Sequence, residues 1–150
     1  MNWYARPESW SFILCRYLPR LTLCSLAWEI AQLPLYTLWE APRPVSIVYA
    51  VEHCTVGDAM IGTAALVLAL ILSRAGERAT WPGTRIVLLM VFLGVAYTLP
   101  SERINLARGN WAYSEWMPVL PWIKVGLSPV LQWIAVPFAA WGWANRKRSV

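Results

Sequence analysis

Residues 59–72 are apolar apart from Gly62 and Thr63, and the positions just before them read Glu52-His53-Cys54-Thr55-Val56-Gly57-Asp58. The apolar block alone would rise only about 21 Å as a helix, short of a hydrocarbon core of about 30 Å. With its polar head included, the segment reaches membrane length. The pattern predicts a membrane helix whose outer end opens into a polar chamber, with the rest of the chain forming the chamber walls.

The bulk numbers point the same way. Apolar residues make up 58% of the 150 positions, charged residues 14%, and the mean hydropathy is +0.45. Tryptophan, present 11 times, concentrates at membrane–water interfaces. The length fits a single membrane domain over 1–150. The net charge is +5, but the basic residues lie beside apolar segments instead of sharing one soluble face, so no nucleic-acid partner is expected. Cys15, Cys24 and Cys54 are odd in number and form no C-x-x-C pair, which argues against a disulfide framework or a zinc site. No metal and no cofactor is predicted.

The expected fold class is all-α: an integral membrane bundle of four transmembrane helices with an interfacial outer segment. The spans are placed near 18–39, 52–73, 85–100 and 126–144. Residues 1–17 form an aromatic, basic lead-in, read as an interfacial helix or a frayed tail. Ala41-Pro42 and Arg43-Pro44 mark a turn after the first span, and Trp81-Pro82-Gly83 closes the next loop. Pro100 kinks or restarts the third span, whose polar continuation stops at Gly109. Residues 111–127 are aromatic and punctuated by proline, either interfacial or re-entrant. Ser128-Pro129 has the form of an N-cap followed by proline at the first helical position.

Arg6, Arg16, Arg20, Arg74, Arg78, Arg85, Arg146, Lys147 and Arg148 fall on one side of such a bundle. Arg43, Arg103, Arg108 and Lys124 fall on the other. The positive-inside bias then puts both termini in the cytoplasm.

The acids show the opposite bias. Glu40, Glu52, Asp58, Glu102 and Glu115 lie at or near the outer side, and Glu29 lies deep, about 15 Å below Trp39 by helical rise. An ionisable group at that depth costs at least about 2–3 kcal/mol and by default marks function. Glu29, Gln32, Tyr36 and Glu40 are three or four apart and are expected on one helix face. Glu29 and Asp58 are the candidate catalytic acid or base. Gln32, Tyr36, His53, Glu102, Arg103, Asn105, Arg108, Ser128 and Gln132 are the candidate ligand-binding residues. Of these, Arg103 and Arg108 would clamp an anionic head with Glu102 orienting one of them, and the helix start at Ser128 would offer free N–H groups. The plainer reading makes the buried acids hydrogen-bonded packing glue between helices and Glu102 part of a solvated turn.

Four strings carry a resemblance: Trp28-Glu29-Ile30-Ala31-Gln32-Leu33-Pro34-Leu35-Tyr36, His53-Cys54-Thr55-Val56-Gly57-Asp58, Glu102-Arg103-Ile104-Asn105, and Gly126-Leu127-Ser128-Pro129-Val130-Leu131-Gln132-Trp133. Together they resemble a set of small bacterial inner-membrane proteins with no assigned activity. That resemblance implies four spans and a bacterial membrane and supplies no mechanism. A fainter likeness is to small membrane enzymes of carotenoid metabolism, such as lycopene cyclases and hydratases; no catalytic residue is carried over from them.

Three functions are compatible with these residues. The first is a chamber that binds, or acts on, a lipid- or isoprenoid-like molecule by carboxylate acid–base chemistry. The second is a non-catalytic assembly or structural subunit. The third is a small proton-coupled transporter using Glu29 as its proton site, which with four spans would call for a homodimer. The partners expected are the bilayer and, under the first reading, its lipid-like ligand.

Overall fold

A computed structural model describes residues 2–40 and 42–146. Ala41 of the expected turn, and Lys147 and Arg148 of the C-terminal basic cluster, lie outside the described residues. The chain is mostly helical: α1 (Pro7–Ser11), α2 (Leu18–Gln32), α3 (Pro44–Leu72), α4 (Gly83–Arg108) and α5 (Leu127–Asn145). The helix α2 packs on α3 and α5, and α4 packs on the same two, so α2 to α5 close into a four-helix ring.

The first rod differs from expectation at both ends. Residues Phe12–Tyr17 are wound as a wide π-helical stretch that joins α1 to α2 without a break. The wide turn ends just before Pro19, which has no N–H to give the ladder. Phe12, Ile13 and Tyr17 are almost wholly buried, so residues 2–17 are not a frayed tail but pack as the start of the bundle. At the other end α2 stops at Gln32. Pro34 cannot continue the ladder, and Leu33–Leu35 tightens into a 3₁₀ turn before Tyr36 becomes extended. Tyr36 and Glu40 therefore do not share a helix face with Glu29 and Gln32, as their spacing suggested. Glu40 is exposed.

The other helices run longer than expected. The helix α3 absorbs the short piece at 45–51 and continues through His53 and Asp58. Pro100 sits inside α4 without ending it, because one lost hydrogen bond is outweighed by packing on two neighbouring helices. Gly109 does end it, with φ of 70° and its N–H bonded to the carbonyls of Asn105 and Leu106, as its left-handed tolerance predicts. Helix α5 begins at Leu127, with Gly126 as its cap residue. Ser128 is thus inside the helix, and the amide of Leu127 is taken by Pro118 O at 2.7 Å.

Small residues set the helix spacing. Gly62 of α3 lies against Leu21 of α2, and Gly94 of α4 lies against Trp133 of α5. Close approach at such residues is how helices gain van der Waals contact. Leu21, Leu66, Leu70, Ile86, Met90 and Ala140 fill the centre below them.

One end of the bundle is sealed by an aromatic box around Arg78. Its guanidinium carbon is 3.9 Å from the Phe12 ring centroid, 4.8 Å from Trp81 and 5.7 Å from Trp141. It also donates to Asn145 Oδ1. Burial, and after it the charge of Arg16, lowers the Arg78 pKa, though a guanidinium stays charged at any pH a protein meets. Exchanging Arg78 for Met should keep the packing of the stem and remove the cation–π attraction. The expected loss is about 1–2 kcal/mol, read as a lower denaturation midpoint in detergent. An unchanged midpoint would mean that the rings hold this end without the cation.

The opposite end is covered by the segment between α4 and α5. Val119–Leu120 pairs antiparallel with Val125–Gly126, and Tyr113 bridges to Tyr36. Ser114 N donates to Leu35 O at 3.0 Å and Ser114 Oγ to Pro34 O at 2.8 Å, while Thr37 N donates to Ala112 O at 3.0 Å. The carbonyls of Pro34 and Leu35, left without helical partners where the helix stops, are thereby satisfied from this cover.

Candidate functional site

Beneath the cover lies a cavity of about 920 Å3, lined by α2, α3, α4, α5 and the Tyr36 and Trp111 segments. Its floor is a continuous hydrogen-bonded chain drawn from three helices. Ser128 Oγ donates to Gln32 Oε1 at 2.8 Å. Gln32 Nε2 donates to Glu29 Oε1 at 2.9 Å and to Gln132 Oε1 at 3.3 Å. Gln132 Nε2 donates to Glu29 Oε1 at 3.1 Å and to Asp58 Oδ2 at 2.5 Å. Each amide oxygen is fixed by a donor, so both amide nitrogens are turned toward carboxyl groups. Glu29 from α2 and Asp58 from α3, 29 positions apart in sequence, meet on one amide nitrogen of α5.

The spacing that brings them there is local. Glu29 and Gln32 lie three apart on the last turn of α2, and Ser128 and Gln132 lie four apart on α5, so each pair shares a face. On α3 the small face Thr55, Gly62 and Ala65 is buried, which lets Asp58 turn inward beside it.

A second polar node sits nearer the cover. Tyr113 OH donates to Glu102 Oε2 at 2.5 Å and accepts from Gly126 N at 2.9 Å. One hydroxyl thus ties α4 to the ribbon before α5. Burial, and after it the bond to Glu102, hold the Tyr113 hydroxyl above the ordinary tyrosine pKa, which is about 10. The folded state then keeps a proton that the unfolded chain gives up near pH 10. This contribution is fully present below that pH and is lost as pH rises toward the folded value. Tyr113→Phe should cost about 1–3 kcal/mol, because it leaves the buried Gly126 N–H without a partner. It should also lessen the alkaline fall in stability above pH 10. Unfolding curves at pH 8 and above 10 check both; equal midpoints for the two proteins at pH 8 would contradict the bonding described.

Of the residues singled out by sequence, Glu29, Gln32, Tyr36, His53, Asp58, Glu102, Asn105 and Gln132 line the cavity. Ser128 stands behind the floor, aiming Gln32. His53 is exposed at the rim and stacks on Tyr49 with ring centroids 5.8 Å apart. Arg103 and Arg108 are exposed and do not line it. The expected clamp is therefore absent, and Glu102 bonds to Tyr113 instead of orienting an arginine. The reason is helical phase: at 3.6 residues per turn, six positions from Glu102 to Arg108 rotate the side chain about 120° away. Among the described residues, no three His, Cys, Asp or Glu side chains converge to hold a metal ion.

Sequence reasoning missed Tyr113 as a site residue. It lies in a stretch rich in tryptophan and tyrosine, where nothing separates one ring that reaches inward from those that anchor. It missed Tyr49, Tyr97 and Trp111 as wall residues as well.

Chemically, the floor presents two carboxyl groups and two amides whose hydrogen-bonding sense is fixed. A carboxyl pair on one amide lets one oxygen take a proton while its neighbour gives one, and the amides can hold a hydroxyl or carbonyl beside them. Scans against protein-family models, curated proteins and solved structures each return no match to this chain, so the site is read from its own geometry.

Proposed function

We propose that this chain is a four-span membrane protein of the kind its sequence strings resemble, and that its cavity binds, and acts by acid–base chemistry on, a lipid- or isoprenoid-like molecule. The observation that carries this reading is the meeting of Glu29 and Asp58 on Gln132 at the floor of a cavity of about 920 Å3. Two ionisable groups kept in an apolar bundle are costly, and here they face a volume that suits a small-molecule ligand.

The membrane setting rests on two helices, α3 and α4, that are long and apolar enough to cross a bilayer. It rests also on the outer faces of all four. Leu23 and Ile30 of α2, Met60 and Leu68 of α3, Leu88 and Phe92 of α4, and Leu131 and Phe138 of α5 are exposed. Apolar surface on every side is out of place in water and suited to acyl chains. The basic residues then set both termini on the cytoplasmic side, with the carboxyl cavity toward the outer face.

A second reading, a packing subunit without chemistry, draws on the same network, since interhelical hydrogen bonds also serve as glue. Glu29, however, does not pair privately with one neighbour; it accepts from Gln32 and from Gln132, and it shares the Gln132 donor with Asp58 beside open space. Purification in mild detergent followed by mass spectrometry of the organic extract separates the readings. The proposal expects a defined small molecule bound to the native protein and lost from Glu29→Gln. Bulk phospholipid alone, equal in both proteins, favours the packing reading.

A further inference from the structure

We propose that the ligand reaches this cavity sideways from the bilayer, through a gap between the first half of α3 and the last half of α4, and that its head is uncharged. The inference rests on the reading of the cavity as a binding site, and it adds the route and the head-group class.

The route follows from which lining residues are exposed. Val45, Tyr49 and His53 of α3 are four apart and form one stripe, and all three are exposed; so is Tyr97 of α4. Val45 is 69% exposed, Tyr49 67% and Tyr97 51%. Asn110 is the other exposed lining residue, at the covered end. The lining residues of α2 and α5 are buried or half-buried. The open side therefore lies along the α3–α4 gap. The end that would face water is stapled by Ser114, Thr37 and Tyr113.

The polarity along the gap orients the ligand. Tyr49 and Val45 stand at the rim, and Asp58 lies roughly 13 Å beyond Tyr49 along α3 by helical rise. A molecule entering head first would reach the carboxyls and amides of the floor while its apolar tail trailed between Tyr49 and Tyr97 into lipid.

The head-group class follows from charge. Glu29, Asp58 and Glu102 line the cavity, and among the described residues no Lys or Arg does. A phosphate or carboxylate head at the floor would meet carboxyl groups with no lysine or arginine to pair with, His53 standing apart at the exposed rim against Tyr49, which is strongly unfavourable in a dry site. A charged amine would have to cross hydrocarbon sideways, at a cost of several kcal/mol. A hydroxyl or carbonyl crosses readily and finds amide and carboxyl partners at the floor.

Cys54 lines the cavity and reports both claims. The protein with Cys15→Ser and Cys24→Ala is reconstituted in phosphatidylethanolamine–phosphatidylglycerol vesicles. Lipid-soluble N-phenylmaleimide is compared with a sulfonated, water-confined maleimide present on both faces. Each rate is normalised to the same reagent on the SDS-denatured chain. The proposal expects at least a tenfold preference for the lipid-soluble reagent, with protection by farnesol and none by farnesyl diphosphate. Equal normalised rates, or faster reaction from water, overturn the route. Protection by farnesyl diphosphate at or below the effective concentration of farnesol overturns the uncharged head. A kept preference without protection by either probe leaves the route standing and overturns the ligand reading with its head-group claim.

Discussion

Replacing Gly94 with leucine should destabilise the protein by about 3 kcal/mol, with alanine at the same place costing about 1–2 kcal/mol. A Cβ built there would overlap the Trp133 ring, lying 2.7 Å from Cδ2 and closer still to Cε3. The neighbour is a rigid indole buried to within 5% of its surface, so it has no flexible end to move aside. The damage should not stop at stability, because Trp133 is one residue beyond Gln132 and lines the cavity. Relieving the clash must shift α5 against α4 or turn the indole, and either moves the amide that holds Glu29 and Asp58. Unfolding in detergent with tryptophan emission as the probe reads both effects. A Gly94→Leu protein with the wild-type midpoint would show that these helices do not pack as described.

Exchanging Glu29 for Gln should have the largest effect on function. The side chain keeps its size but can no longer exchange a proton, and its new amide turns a donor toward the donors of Gln32 and Gln132. If the floor works as an acid–base pair, turnover should fall by about 10²–10⁴-fold, while the denaturation midpoint moves far less than for Gly94→Leu. Asp58→Asn should do the same. The double variant should be scarcely worse than either single one, because groups that act as a unit lose their effect together. A packing role predicts otherwise: stability losses that accumulate, with occupancy of the cavity unchanged in every variant. Assaying the molecule that co-purifies with the native protein, for occupancy and for conversion, decides between these patterns.

Much of the helical architecture was legible because hydropathy and punctuation are local signals. The apolar block after Asp58 announced α3, and Gly109 announced the end of α4. Helix ends set by tertiary partners were not legible. Phe12 packs its ring against Trp81 and Trp141, and Tyr17 against Trp141, and no pattern within 1–17 carries that information. The long apolar run through Pro34 concealed the stop at Gln32, although the proline itself pointed to it.

The site was legible where burial made polarity expensive. Glu29, Asp58 and Gln132 stood out as polar groups in apolar helices, and the structure joins them. Arg103 and Arg108 were drawn in by sequence nearness to Glu102, and helical phase carries them outward. Tyr113 is a residue of ordinary type in ordinary surroundings, and its role comes from the fold of the cover, through Glu102 on one side and Gly126 on the other.

The claim on which the rest stands is that α2 and α3 deliver residues 29 and 58 to one point inside the bundle. Cross-linking tests it directly in a chain whose native cysteines are replaced, carrying Glu29→Cys with Asp58→Cys and treated in membranes with the short bifunctional reagent dibromobimane. The account predicts near-complete formation of the fluorescent bridged product, against background for Glu29→Cys paired with Arg103→Cys. Equal bridging in the two pairs, or none at 29 and 58, would contradict it.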